Sequence, residues 1–492
     1  PSPLFPSSKT RQYPCRARLP AEAASSLDFP FRFLEHPSHA WRPHTGLSKA
    51  IDTRMSPPGK ILIIGAGPTG LGAAWRLQEI GHSDFLVIDQ NPYVGGLAAT
   101  FSDSHGFTWD FAVHVAHSHY RYVDQLMQSV LPDGFIAHER RSWVYTQKSF
   151  VPYPFQYNFR HLPLWAQEEC LAGLMARPPR SPGGPSNFQD WILEAFGDGI
   201  AKHFMIPYNT KIWTVPPAQM NCRWLGDRVP EVDVDRVRVN IQEGRDDVSW
   251  GPNHVFQFPR TGGTGSIWKS MARQIGTDRI RLSTSVVALD PRAQIATLSS
   301  REKVHYDHVI STMPIDRLIP MAGQSSLESS AKRLLHSQVQ VVCVGLPFPL
   351  PERLRDKTWI YCPDEGSVFY RITPFSLFSP AHTPDPARFC SFLCEVATPG
   401  GAAMHKESEL ATRVLRDLRQ SGLLDFSPDQ AHVFHLQAEY GYPIPSLGRD
   451  AAGANHTVRA AAAQGATATN KFLSKERKFC TQCLVKWIGL PH

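Results

Sequence analysis

The sequence predicts an α/β fold on three observations. Lys60-Ile61-Leu62-Ile63-Ile64 is a short β-branched run that leads straight into Gly65-Ala66-Gly67-Pro68-Thr69-Gly70 and an Ala-rich stretch with helical character. A second apolar run, Asp84–Ile88, ends in Asp89, about 20 residues beyond the glycines. The remaining apolar runs, such as 339–344, have the length of buried strands and fall short of the roughly 18–20 residues that span a bilayer. A chain of 492 residues is long for one compact domain. The expected architecture is a discontinuous Rossmann-like dinucleotide domain from 58–120 and 253–320. A helical insert at 160–245 and a β-rich substrate domain from 135–155 and 325–445 complete it.

Each part of the first unit has a physical reason. Gly65 permits the tight turn after the strand, Gly67 lets the backbone approach a pyrophosphate, and Gly70 lets the helix lie close on the strand. Pro68 and Thr69 open that helix, whose N-terminal amides and partial positive charge suit a diphosphate. Asp89 stands where a carboxylate meets the ribose hydroxyls of an adenosine. The glycine pair in Gly95-Gly96-Leu97-Ala98, just past the acid, favours FAD over NAD. It matches the second flavin motif of amine-oxidase-like enzymes.

Composition narrows the partners. Lys and Arg number 51 against 44 Asp and Glu, a net +7 that suits an anionic ligand without requiring nucleic acid. Nine scattered cysteines fit reduced thiols, so a cytoplasmic location is expected, with no membrane partner. Cys480-x-x-Cys483 has metal spacing but no second pair near it, so no metal site is expected. The 42 prolines mark a loop-rich chain or extended tails. Residues 1–54 read as a disordered or non-native leader before Met55, and 450–492 as an atypical tail. The tail's LVKWIGLP is similar to the middle strands of a chromodomain, too short to form one.

Further motifs make the resemblance specific. They are His114-Val115-x-x-Ser118-His119-Tyr120, Val151-Pro152-Tyr153-Pro154-Phe155-Gln156 and Pro207-Tyr208-Asn209-x-Lys211-x-Trp213. Trp224-Leu225-Gly226-x-Arg228-Val229, Trp250-Gly251-Pro252-Asn253, Gly262-Gly263-Thr264-Gly265, Trp359-x-Tyr361, Phe369-Tyr370-Arg371 and Gly441-Tyr442-Pro443 follow in order. From Lys60 to about Arg449 the chain resembles the eukaryotic, fungal-type UDP-galactopyranose mutases of the amine-oxidase-like FAD superfamily. The resemblance implies interconversion of UDP-galactopyranose and UDP-galactofuranose through a flavin N5–sugar adduct. It also implies reduced FAD, with NADPH or NADH as reductant, and allows a homo-oligomer. Two other readings stand beside it: an FAD-dependent amine oxidase-like oxidoreductase, and a truncated, inactive mutase homologue.

The same resemblance implies roles for single residues. Arg228 and Arg371 would clamp the substrate diphosphate, for which the planar guanidinium fork is suited. Tyr361 and Tyr442 would hydrogen-bond that diphosphate, while Tyr153, Gln156, Asn209, Trp213 and Asn253 would line the uridine and sugar pocket. His114 would sit beside the flavin ring, Arg140 and Ser142 near its N5 side and the diphosphate, and Val286 would contact adenine through its backbone. A metal reading of His114, His117 and His119 is rejected, since no acidic or Cys partner completes it.

Three departures from the family pattern are expected to matter. Ala112-Val113 stands where Gly-Gly is usual, so two side chains would project toward the flavin. Phe378 replaces a tyrosine and removes a hydroxyl. Residues 451–492 lack the family's closing SWRYE-like run, arginine and glycine–asparagine helix start, so impaired activity is expected.

Overall fold

Strand β1 (Ile61–Ile64) is buried along its whole length, as a strand covered on both faces must be. It pairs in parallel with β2 (Phe85–Ile88) and β13 (His308–Ser311), and β9 (Ile280–Arg281) completes the order β13-β1-β2-β9. Two distant stretches of chain therefore build one sheet. This is a computed structural model, and it describes residues 59–451 except His117, His119, Pro132, 226–231 and 249–253. The predicted leader 1–54, the tail beyond Ala451 with Cys480 and Cys483, and the predicted site residues Arg228 and Asn253 lie outside the described residues.

Helices cover one face of this sheet. Helix α1 (Pro68–Glu79) buries Leu71, Ala74 and Leu77 against Trp268, Met271 and Ile275 of α8 (Gly265–Ile275). Gly70 lets α1 lie close on β1 and the turn after it, because a Cβ there would lie 1.8 Å from the Gly65 carbonyl oxygen. Helix α2 (Arg121–Val130) adds Val123, Leu126, Met127 and Val130 to the same core. On the other face, Leu62, Ile64, Leu86 and Ile88 meet the antiparallel sheet of β10 (Val286–Asp290), β11 (Ile295–Leu298) and β12 (Lys303–His305). The fold is a mixed α/β one.

A seven-stranded sheet forms the second large element. Its order is β18 (His432–Ala438), β14 (Ser337–Leu346), β17 (Cys390–Pro399), β16 (Arg371–Pro374), β15 (Trp359–Tyr361), β6 (Ser142–Thr146) and β7 (Ser149–Pro152). Central β14 is buried at all ten positions. Helix α11 (Glu407–Gln420) seals one face with Leu410, Val414 and Leu418. The other face joins the aromatic core that the helical segment also fills. Two small antiparallel pairs complete the β structure: β3 (Thr100–Ser102) with β4 (Thr108–Asp110), and β5 (Phe135–Glu139) with β8 (Val255–Pro259). The stretch at 135–139, assigned from the sequence to the β-rich unit, thus pairs with β8 and not with the seven-stranded sheet. Pairing between segments this far apart leaves no local signal.

The helical segment runs through α3 (Phe155–Asn158), α4 (Leu164–Met175), α5 (Phe188–Ile200), α6 (Ile206–Trp213) and α7 (Val234–Gln242). Helices α4 and α5 approach closely because their contact residues are glycines; a Cβ on Gly197 would lie 2.0 Å from the Gly173 carbonyl oxygen. A π-helical turn at Ala201–Met205 then joins α5 to α6. The extra residue in such a turn rotates the following helix, and Tyr208, Asn209, Ile212 and Trp213 come out buried. The short helices α9 (Ile315–Met321), α10 (Glu328–Ala331) and α12 (Leu447–Ala451) finish the chain's described part. Among the described residues no helix is long and apolar enough to cross a membrane.

Candidate functional site

The glycine turn after β1 and the glycine pair after β2 lie back to back. Gly67 and Gly96 face each other, and a Cβ on Gly67 would meet only the Gly96 Cα, at 4.0 Å, and otherwise open space. Gly95 and Gly96 hold φ of +101° and +54°, a region that favours glycine. The Gly95 amide donates to the Ala66 carbonyl at 2.9 Å, which docks the second turn on the first. Leu97 and Ala98 follow in a 3₁₀ turn with Ala98 buried. Pro68 opens α1, and no side chain caps its N-terminus, so its first amides remain available to an anion.

Asp89 does more here than the sequence suggests. Its carboxylate accepts the Ala66 amide at 2.7 Å and the Asn91 amide at 2.8 Å, which ties the glycine turn to the end of β2. The Thr284 amide donates to the Asp89 carbonyl at 2.9 Å, so the chain entering Val286 runs beside this acid.

A second group of side chains surrounds Arg371. On β16 it lies directly opposite Glu395 of β17. Nε donates to Glu395 Oε1 and Nη2 to Oε2, both at 2.7 Å, and Tyr370 donates its hydroxyl to Oε2 at 2.6 Å. Glu395 is fully buried. Burial works against the Arg371 charge, but Glu395 outweighs it and holds the guanidinium ionised. Tyr442 hydrogen-bonds both Tyr370 and Arg371, and its ring centroid lies 5.9 Å from that of Trp213.

Arg140 is half-buried and has a different setting. It lies in the Arg140–Arg141 link between β5 and β6, where Nε reaches the Ser142 hydroxyl at 3.3 Å and Nη2 the Tyr361 hydroxyl at 3.5 Å. The guanidinium also lies 5.6 Å from the Trp359 ring centroid. Among the described residues no carboxylate pairs with it. Burial pushes the Tyr361 phenol up, yet Arg140 and Arg371 together hold it below its ordinary value. The rings of Tyr153 and Tyr208 stand 5.7 Å and 5.3 Å from Tyr361. Burial raises Tyr153 to about 12, so it stays a hydroxyl donor.

His114 is neutral. Desolvation lowers it to about 4, and its Nδ1 lies 2.9 Å from the Ala112 carbonyl oxygen. A carbonyl can only accept, so Nδ1 carries the proton and Nε2 is left as an acceptor. Arg371 and Glu395 are close enough to influence its charge. The Val113 side chain is buried in the aromatic core, and Phe378 packs among Phe256, Phe258 and Trp359 where no hydroxyl partner is needed.

The structure brings Arg371, Tyr361, Tyr442, Tyr153, Arg140, Ser142 and His114 together. Gln156 is buried on α3. Asn209 uses its amide internally, donating to the Met205 carbonyl at 2.7 Å and accepting from Trp213 Nε1 at 3.2 Å, so it orients Trp213. Arg228, Asn253, His117 and His119 lie outside the described residues. Among the described residues no group of three His, Cys, Asp or Glu could hold a metal. Two residues escaped sequence reasoning. Glu395 was signalled only by being the one acid in the apolar run 390–399. Tyr208 belongs to a noted motif, and its buried hydroxyl has no hydrogen-bond partner among the described residues.

The residues fit FAD: a glycine cradle that a Cβ would fill, an uncapped helix start and an acid at the end of β2. The family model "Flavin containing amine oxidoreductase" matches residues 68–449. A reduced UDP-galactopyranose mutase of known structure is 38% identical, with a TM-score of 0.75, covering 81% of this chain and 85% of that one. Cyclohexylamine oxidase from Brevibacterium oxydans shares the fold at 16% identity and TM-score 0.53, covering 80% of this chain and 90% of its own. Putrescine oxidase shares it at 16% identity and TM-score 0.51, covering 81% and 90%. A thiamine thiazole synthase from Aeropyrum pernix matches over 36 residues at 53% identity, and this chain spans only 13% of that protein and 7% of itself there.

Proposed function

The chain belongs to the flavin containing amine oxidoreductase family, and we propose that within it the protein is a eukaryotic-type UDP-galactopyranose mutase, interconverting UDP-galactopyranose and UDP-galactofuranose. One observation carries the reading beyond the likeness to a mutase structure. The half-buried Arg140 guanidinium has no carboxylate partner among the described residues and shares Tyr361 with Arg371. A guanidinium held only by two hydroxyls and an aromatic ring keeps donors free for an anion. A nucleoside diphosphate supplies that anion, and the amine of an oxidase substrate does not.

FAD would be held by Gly65, Gly67, Pro68, Thr69, Gly70, Asp89, Gly95, Gly96, Leu97, Ala98 and the backbone at Val286, with Arg140 and Ser142 between its N5 side and the substrate diphosphate. Once reduced, with NADPH or NADH as the proposed electron source, it supplies a nucleophile for the sugar's anomeric carbon. The chain's own residues do the rest. Arg371, with Arg228 as its proposed partner, and Arg140 bind the diphosphate and stabilise its growing charge as the bond to the sugar breaks. Because Glu395 already holds Arg371 in place, little reorganisation is required at that moment. Tyr361 and Tyr442 add hydroxyl donors, and Tyr153, Gln156, Trp213, Asn253 and the Asn209 that orients Trp213 hold the uridine and sugar. His114, protonated on Nδ1, offers Nε2 as an acceptor beside Arg371.

The test is turnover by the full chain. Protein loaded with FAD and reduced by dithionite is given UDP-galactofuranose, and UDP-galactopyranose is followed by chromatography. Conversion that is lost in Arg371→Ala supports the reading. A flavin-loaded, folded protein that converts nothing, or that oxidises an amine instead, rejects it.

A further inference from the structure

The acid at the end of β4 stands outside every role assigned so far. Asp110 is fully buried, and its carboxylate is surrounded by donors from both ends of the nucleotide-binding unit. Thr100 donates its hydroxyl to Oδ1. Oδ2 lies 3.1 Å from the Thr264 amide and 2.8 Å from the Thr264 hydroxyl. The Gly265 amide, at the start of α8, donates to the Thr100 hydroxyl at 2.6 Å. The glycines of the GGTG turn are required for this approach. A Cβ on Gly263 would lie 2.3 Å from Asp110 Oδ1, and one on Gly265 would lie 2.4 Å from the Thr100 amide nitrogen.

The Thr264 hydroxyl also lies 2.8 Å from the His114 carbonyl oxygen. It therefore has two acceptors at the same distance and one hydrogen to give. The site is fully buried at Thr264, so the choice cannot be settled by water. When Asp110 is ionised, the charged carboxylate is the stronger acceptor and takes that hydrogen. The His114 carbonyl then loses its donor. When Asp110 carries a proton on Oδ2, it donates to Thr264 Oγ1, and the hydroxyl is free to donate to the His114 carbonyl. We propose that Asp110 is a positioning residue for the His114 segment, acting through the single hydroxyl proton of Thr264.

The surroundings allow Asp110 to change state near neutral pH. Burial raises its carboxyl to about 6, against the lowering effects of the Thr100 and Thr264 hydrogen bonds and of Lys269. Lys269 of α8 is the charged group facing it, with Nζ on the Thr100 carbonyl at 2.9 Å. The Cys343 thiol of β14 also feels Asp110, and burial keeps that thiol protonated. His114 stays neutral through this range. A fall in pH from 8 to 5 is thus expected to add one hydrogen bond to the carbonyl of the residue proposed to lie beside the flavin.

The role of His114 rests on the mutase reading, but the first measurement does not. Hydrogen-exchange protection factors for 111–116 are measured on the full chain, without flavin or sugar, at pH 5 and pH 8. The wild type is expected to gain about tenfold protection at pH 5, the weight of one buried hydrogen bond. Asp110→Asn, whose amide does not titrate, should be protected equally at both. Thr264→Val should remain weakly protected at both, and Thr264→Ser should restore the wild-type response. A wild type without a pH response, or a response that survives in Asp110→Asn or in Thr264→Val, overturns the proposal. The same variants, loaded with flavin, should show a visible spectrum whose pH dependence follows the exchange data. Exchange data as expected with no flavin taken up would reject the mutase reading and leave the relay standing.

Discussion

The guanidinium of Arg371 is gripped by the Glu395 carboxylate at two points, 2.7 Å each, across directly paired positions of β16 and β17. Both side chains are buried. Removing the acid strands a cation that cannot reach water, so Glu395→Ala should cost about 3–5 kcal/mol of stability. Urea unfolding measures it. A loss below about 1 kcal/mol would mean that Arg371 finds another counter-ion.

Arg371→Ala bears on ligand binding. It should weaken UDP by about 1.5–3 kcal/mol, the scale of a hydrogen bond to a charged group, or roughly ten- to 150-fold. Titration of protein fluorescence with UDP gives the value. Unchanged affinity would remove Arg371 from the diphosphate site.

Tyr208 separates binding from stability. Its hydroxyl is buried without a partner among the described residues, so Tyr208→Phe breaks no internal hydrogen bond. The unfolding midpoint should hold or rise slightly, by up to about 1 kcal/mol. UDP affinity should nevertheless fall, because the hydroxyl is placed beside Tyr361 and feels Arg371. A destabilised variant with unaltered UDP affinity would contradict both halves.

Gly67→Val tests the cradle. Gly67 has φ of −75° and ψ of −178°, a backbone that any residue adopts, so the change adds bulk without strain. Circular dichroism should be preserved while the flavin absorbance of purified protein disappears. A yellow Gly67→Val protein would place the cofactor elsewhere.

Asp110 should set part of the pH dependence of stability. Its folded carboxyl titrates at about 6, above the ordinary 3.8. The fold therefore favours the protonated form, and that stability is complete below about pH 3.8 and lost as pH rises through 6. The loss is on the order of 3 kcal/mol. Asp110→Asn cannot ionise, so the difference in unfolding free energy between wild type and variant should change by that order between pH 4 and pH 8. A difference independent of pH would show that Asp110 is ionised throughout.

The nucleotide-binding turn was legible along the chain, because strand, glycines, helix and Asp89 are neighbours in one short stretch. Each local preference there is satisfied by residues close in the chain, and the pairing of β1 with β2 follows from them. Motif order also pointed to Arg371, Tyr361 and Tyr442 as one group. What those residues rest on follows from long-range packing. Glu395 reaches Arg371 through the register of two strands, and a shift of one residue would turn it to the opposite face. Asp110 meets Thr264 across 154 residues of chain, and Asn209 faces Trp213 only as part of a buried α6 entered through a π turn. The stretch at 135–139 joined β8 for the same reason: a strand's partner is chosen by which edge the assembled core presents, and composition carries no trace of that choice.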